Sequence, residues 1–82
     1  MNSDEVLTQI GLIIRDATLS GPAKVDRSTR AIDVRGWDSL THTIIIMKVE
    51  EQFGITLPME RAMVLADVGE LVDLVLELKG EK

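Results

Sequence analysis

The sequence predicts an all-α fold: a small four-helix bundle, three longer helices plus a short third helix, with a long loop between helices 1 and 2. Three observations predict it. Of the 82 residues 45% are hydrophobic but only 2% aromatic, so the core must be built from Ile, Leu, Val and Met. That suits helix packed on helix better than a β-sandwich, whose strands draw on aromatic and Thr side chains. Apolar residues recur at helical spacing over three long stretches, and capping residues bracket each stretch. The length has room for one domain, and a chain running from Met1 to Lys82 reads as one free-standing domain, residues 1–82.

The first helix is expected from Ser3 to Leu19. Asn2 or Ser3 caps it, and Asn2 with Glu5 makes a partial capping box. Asp4 and Glu5 suit the positive end of the helix. Val6, Ile10, Ile13, Ile14 and Ala17 form its apolar stripe, and Ser20-Gly21-Pro22 ends it. Residues 20–37 have no clear period, and a connection of that length usually contains a short helix or serves function. Val25, Ala31, Ile32, Val34 and Trp37 are expected to tack it onto the core. Lys24, Arg27, Arg30 and Arg35 face Asp26 and Asp33 in a solvated, salt-bridged surface.

The second helix is expected from Asp38 to Phe53, with Asp38 as N-cap and Gly54 as C-cap. At roughly 100° per residue, Ile45, Ile46, Val49 and Phe53 share one arc, the core face. Leu40, Ile44 and Met47 share another, with Thr43 beside them. A surface helix needs one apolar stripe, so the second either covers the long loop or is an exposed docking patch. Pro58 is placed to start a short third helix through Leu65, with Ala62, Met63 and Leu65 as buried candidates. Asp67 and Glu70 make a capping box for the fourth helix. Its stripe is Val68, Leu71, Val72, Val75 and Leu78, broadened by Leu74 and Leu76. Lys79 suits its negative end and Gly80 stops it.

The net charge of −5 makes nucleic acid and anionic membrane poor partners. The charge is uneven: residues 1–49 carry six acids and six bases, residues 50–82 eight acids and three bases. There is no cysteine, which removes disulfides, zinc fingers and thiol nucleophiles together. No metal site is expected. MNSDEV has no signal-peptide character, and no apolar run reaches membrane-spanning length, so a cytoplasmic protein is expected.

Chemistry centres on Gly36-Trp37-Asp38-Ser39-Leu40, which delivers one serine to the first turn of a helix. As a hydrolase nucleophile Ser39 lacks partners. His42, the only histidine, lies one turn on, with no strained elbow and no orienting acid. An 82-residue bundle also offers little cleft from which to exclude water. No catalytic residue is therefore assigned. As a site for an anion Ser39 is well placed, because free N–H groups and the helix dipole meet there.

The same pentapeptide, followed by Met47, Glu50-Glu51, Phe53-Gly54-Ile55 and Pro58, resembles the acyl carrier protein family over nearly the whole chain. The resemblance implies a 4′-phosphopantetheine arm, placed on Ser39 by a phosphopantetheinyl transferase with coenzyme A and Mg²⁺. The arm's thiol would hold acyl groups as thioesters. It implies that Asp38 contacts the transferase and that Leu40 supplies an apolar contact beside it. By the same analogy Ile45, Ile46, Leu57, Ala62 and Leu65 would line an acyl pocket.

The stretch after the serine departs from the pattern of fatty-acid carriers. Thr41, His42, Thr43 and Ile44 stand where acids are usual, Lys48 adds a base, and Glu60 is next to Arg61. Trp37 replaces a small residue, as in carriers of specialised pathways. Docking is therefore expected on Leu40, Ile44, Met47 and Met63, with Glu50, Glu51 and Glu60 as the remaining charges. The expected partners are the transferase, an acyl-loading ligase or acyltransferase, and a ketosynthase or other acyl-transferring enzyme of fatty acid, polyketide or related lipid biosynthesis. The carrier itself is expected to be a monomer. An aminoacyl or peptidyl carrier, and a helical interaction module without an arm, are the alternatives.

Overall fold

In the computed structural model, which describes residues 2–18 and 25–80, side-chain caps start the three longer helices. Helix α1 spans Ser3–Thr18. Asn2 Oδ1 accepts the Glu5 N–H at 2.9 Å, and the Glu5 carboxylate accepts the Asn2 N–H at 3.4 Å, so the capping box is reciprocal. The expected end at Leu19, the Ser20-Gly21-Pro22 stop and Lys24 lie outside the described residues. Helix α2 spans Ser39–Phe53, and Gly54 closes it in the left-handed region at φ 65°. Helix α3 spans Met59–Ala62 and α4 spans Val68–Leu78. A single 3₁₀ turn, Ala31–Asp33, lies in the long loop. The described residues contain no strand, and none of their helices is long and apolar enough to cross a membrane.

Helix α1 packs against both α2 and α4. It presents Val6, Ile10 and Ile14 to Ile45, Val49 and Phe53 of α2 and to Val68, Leu71, Val72 and Val75 of α4. Ile13, Ala17, Ile46 and Leu78 pack at the edge, while Leu74 is fully in the core. Thr18, at the end of α1, is buried and returns its hydroxyl to the Ile14 carbonyl at 2.9 Å.

The long loop caps α4. Val68 N–H donates to Thr29 O and Gly69 N–H to Arg27 O, each at 2.8 Å, and Glu70 N–H donates to Asp67 Oδ1 at 2.9 Å. Three first-turn amides of α4 are thereby satisfied, two of them by a segment some forty positions earlier in the chain. Glu70 closes its side of the box on Ala66 N–H (2.8 Å) rather than on Asp67. A Cβ at Gly69 would stand 2.9 Å from Arg27 O, so the close approach needs glycine there. An Asp26 turn shapes the segment: Ser28 N–H and Oγ both donate to Asp26 Oδ1.

Four expectations need correction. Ile32 is 85% exposed and Ala31 lies outside the core cluster, because the 3₁₀ turn aims only Val34 inward. Arg27 reaches across the fold to Asp73 (2.9 Å) rather than pairing within the loop, where Arg30 and Asp33 do pair at 3.3 Å. The third helix stops at Ala62 instead of Leu65. Pro58 does start it, as its N-cap. One turn of helix presents one residue to the core, so Ala62 is buried while Met63 is 53% exposed.

Candidate functional site

Ser39 is the first helical residue of α2, directly after its N-cap. Asp38 Oδ1 accepts the Thr41 N–H at 2.8 Å, and Asp38 O takes the first helical bond, from His42 N–H, at 2.8 Å. The Thr41 N–H, donating to the Asp38 carboxyl, holds it below the usual carboxylate range. Because the cap uses Asp38, Ser39 is not needed for it. Its side chain is exposed, and its carbonyl accepts the Thr43 hydroxyl at 3.2 Å.

The approach to the serine is fixed from behind. Gly36 has φ +90°, and a Cβ on it would sit 3.0 Å from the Thr18 carbonyl, so the turn can lie against the end of α1 only as glycine. Trp37 follows, half-buried against the core. Its indole Nε1–H donates to His42 Nδ1 at 3.0 Å, and His42 Nε2 lies 2.8 Å from Ala62 O. Indole nitrogen is a donor only, so Nδ1 must be the acceptor and Nε2 must carry the hydrogen. His42 therefore bridges the loop and α3.

A hollow of about 360 Å³ opens beside the serine, lined by Ala31, Trp37, Asp38, Ser39, His42, Met63 and Leu65. Of the acyl-pocket candidates only Leu65 reaches it. Ile45, Leu57 and Ala62 are buried in the core, and Ile46 packs on its edge. The second stripe of α2 is outside: Leu40 is 71% exposed, Met47 60% and Ile44 38%. It does not cover the loop. Glu51 and Glu60 are exposed, but Glu50 is half-buried and accepts the Leu57 N–H at 2.8 Å, which pins the link after α2. Among the described residues no His, Asp and Glu side chains gather where they could hold a metal.

The sequence model of the phosphopantetheine attachment site matches residues 30–75, which include Ser39, the hollow and α3. The chain is 32% identical over 75 residues to the acyl carrier protein of Thermosynechococcus vestitus, covering 92% of this chain and 93% of that one. The chain belongs to the acyl carrier protein family. The fold agrees: the solution structure of holo acyl carrier protein from Geobacter metallireducens superposes with a TM-score of 0.80 at 29% identity, over 92% of this chain and 86% of that chain. Two chloroplastic acyl carrier proteins are 33% (Spinacia oleracea) and 37% (Arabidopsis thaliana) identical. They are longer, and the chain spans 60% and 50% of their lengths.

The cofactor of this carrier family is 4′-phosphopantetheine, held covalently. The residues present fit it. An exposed hydroxyl stands at a helix N-terminus suited to a phosphodiester, beside a hollow with an apolar wall. Ser39 is the only serine in residues 30–75, and Thr41, Thr43 and Thr56 are the other hydroxyl residues there.

Proposed function

We propose that Ser39 bears the arm and that the chain carries acyl groups as thioesters, handing them to partner enzymes. The observation that supports this most directly is the exposed Ser39 hydroxyl, released from capping by Asp38 and set beside the hollow. Ser39 would hold the arm through Oγ, with Asp38 meeting the transferase and Leu40 giving it an apolar contact. The group supplies a terminal thiol in a chain that has none of its own. Trp37, Met63 and Leu65 give its flexible carbons a surface to lie on.

The partners in this reading are a phosphopantetheinyl transferase, an acyl-loading ligase or acyltransferase, and a ketosynthase or other acyl-transferring enzyme. They dock on Leu40, Ile44, Met47 and Met63, which lie open, with Glu51 and Glu60 at the rim. Glu50 contributes by fixing the link after α2. Fatty acid, polyketide or related lipid biosynthesis is the setting of this reading. The apolar, acid-poor face of α2 favours partners of a specialised pathway, polyketide or modified lipid. We place the carrier in the cytoplasm, as a monomer of one domain.

The test is intact mass after incubation with coenzyme A, Mg²⁺ and a broad-specificity transferase. A gain of one phosphopantetheine that disappears in Ser39→Ala supports the reading. No gain with several transferases would sink it.

A further inference from the structure

Trp37 is the only tryptophan of the chain and His42 its only histidine, and the two are bonded to each other. Their ring planes are inclined by 20° with centroids 5.9 Å apart, so the indole N–H can point at the imidazole lone pair. The other nitrogen of His42 donates to the carbonyl of Ala62, the last residue of α3. A helix of one turn leaves its last carbonyls without helical partners, and His42 supplies one. One imidazole thus ties the loop, α2 and α3 together. Residues at or next to each tied point form the hollow beside Ser39: Trp37, His42 itself, and Met63 and Leu65 just past Ala62.

The fold has other means of holding α3. Ala62 is buried, and Arg61 forks onto Glu77 of α4. These place α3 against α4 but do not set its distance from Trp37. Among the described residues, the hydrogen bonds of the imidazole link Trp37 to the end of α3.

We propose that His42 is a positioning residue for the arm: as the neutral Nε2–H tautomer it sets the spacing between Trp37 and the end of α3, and so holds the hollow in the shape that receives the arm. This rests on Ser39 bearing the arm. It assigns His42 no contact with the acyl group and no part in attachment chemistry.

The experiment uses the full ¹⁵N-labelled chain with methyl-labelled methionine, before and after loading with coenzyme A, Mg²⁺ and a transferase, with intact mass reporting the loading. The single indole cross-peak reports Trp37, the ring-nitrogen shifts report the His42 tautomer, and the Met63 methyl reports the far wall. The expected result is an Nε2–H tautomer in the free chain and a shift of both the indole and the Met63 signals on loading. His42→Leu should load to the same mass and keep its helical circular dichroism but lose both shifts. His42→Gln, which offers an N–H and an acceptor at a similar reach, should restore shifts of the same sign. An Nδ1–H tautomer, a loaded wild type whose signals do not move, or a His42→Leu protein that keeps both shifts would overturn the inference while leaving the attachment reading intact. Absence of any mass gain would remove both. If His42→Leu loses helix content, the wild-type tautomer and the wild-type shifts still decide.

Discussion

Asp38 and Gly69 show how single residues set this site. The Asp38 carboxyl is held below the usual range by the Thr41 N–H, and Asp33 is held low by Arg30. A carboxyl whose folded pKa is depressed adds stability above its unfolded pKa of about 3.9, and that part is lost as pH falls toward the folded value. Stability to denaturant should therefore change little through this group from neutral pH to about 5 and fall below about 4. Asp38→Asn keeps a capping side chain but cannot titrate, so its acid limb should be shallower than that of the wild type. Equal acid limbs would show that the cap does not contribute to the pH dependence. Gly69→Ala tests the loop's cap on α4. A methyl 2.9 Å from Arg27 O must push the loop off the helix end, an overpacking cost of about 1–3 kcal/mol. The gain in helix propensity, at most about 1 kcal/mol, opposes it. A net loss in the denaturant midpoint is expected, and a gain would mean that the loop yields freely. Asp38 as cap, Gly54 as stop and Ser39 as first helical residue are all legible from local sequence, because capping is a rule about neighbours. The use of Gly69 is not, because the atom that demands glycine belongs to Arg27.

At the scale of elements, α2 carries two apolar faces with opposite fates. Ile45 is fully buried while Met47, two residues on, is mostly exposed. Ile45→Ala should cost about 2–5 kcal/mol, a large part of the stability of so small a domain. Met47→Glu and Ile44→Glu should stay within about 0.5 kcal/mol of the wild type in thermal or denaturant unfolding. In exchange they should lower kcat/KM of the partner enzymes when the carrier is the varied substrate. Unfolding of Met47→Glu would instead place that stripe in a core. Periodicity revealed both stripes but left open whether the second one covered the loop, since a helical wheel gives angles and not neighbours. The third helix was least legible. Met63 and Leu65 look like a continuation of Met59 to Ala62, yet a one-turn helix has no period to read, and its end is set by contacts with His42 and Glu77 on other helices.

For the whole molecule, the question is where an acyl chain goes. The core cluster joins α1, α2, the link at Leu57, α3 and α4. Ile45, Leu57 and Ala62, the pocket candidates within it, are already buried against their neighbours. An incoming chain must therefore displace packing, and the cheapest place to do so is around α3. That element has one turn and one buried side chain, and exposed or half-exposed ties hold it. Each methylene that leaves water contributes about 0.8 kcal/mol before that displacement is subtracted. An arm on Ser39 would keep the chain at an effective concentration of about a millimolar, so sequestration with a dissociation constant near or below that would be populated. Binding to the folded state alone at one hundred times its dissociation constant adds about 2.7 kcal/mol, and each kcal/mol moves the midpoint of a domain this size by about 4–8 °C. Carriers loaded with acyl groups of two, six and ten carbons should then melt at successively higher temperatures, with the Met63 methyl signals shifting in step. A flat series would mean that the packed core refuses the chain and that the cargo rides in solvent along the hollow beside Ser39.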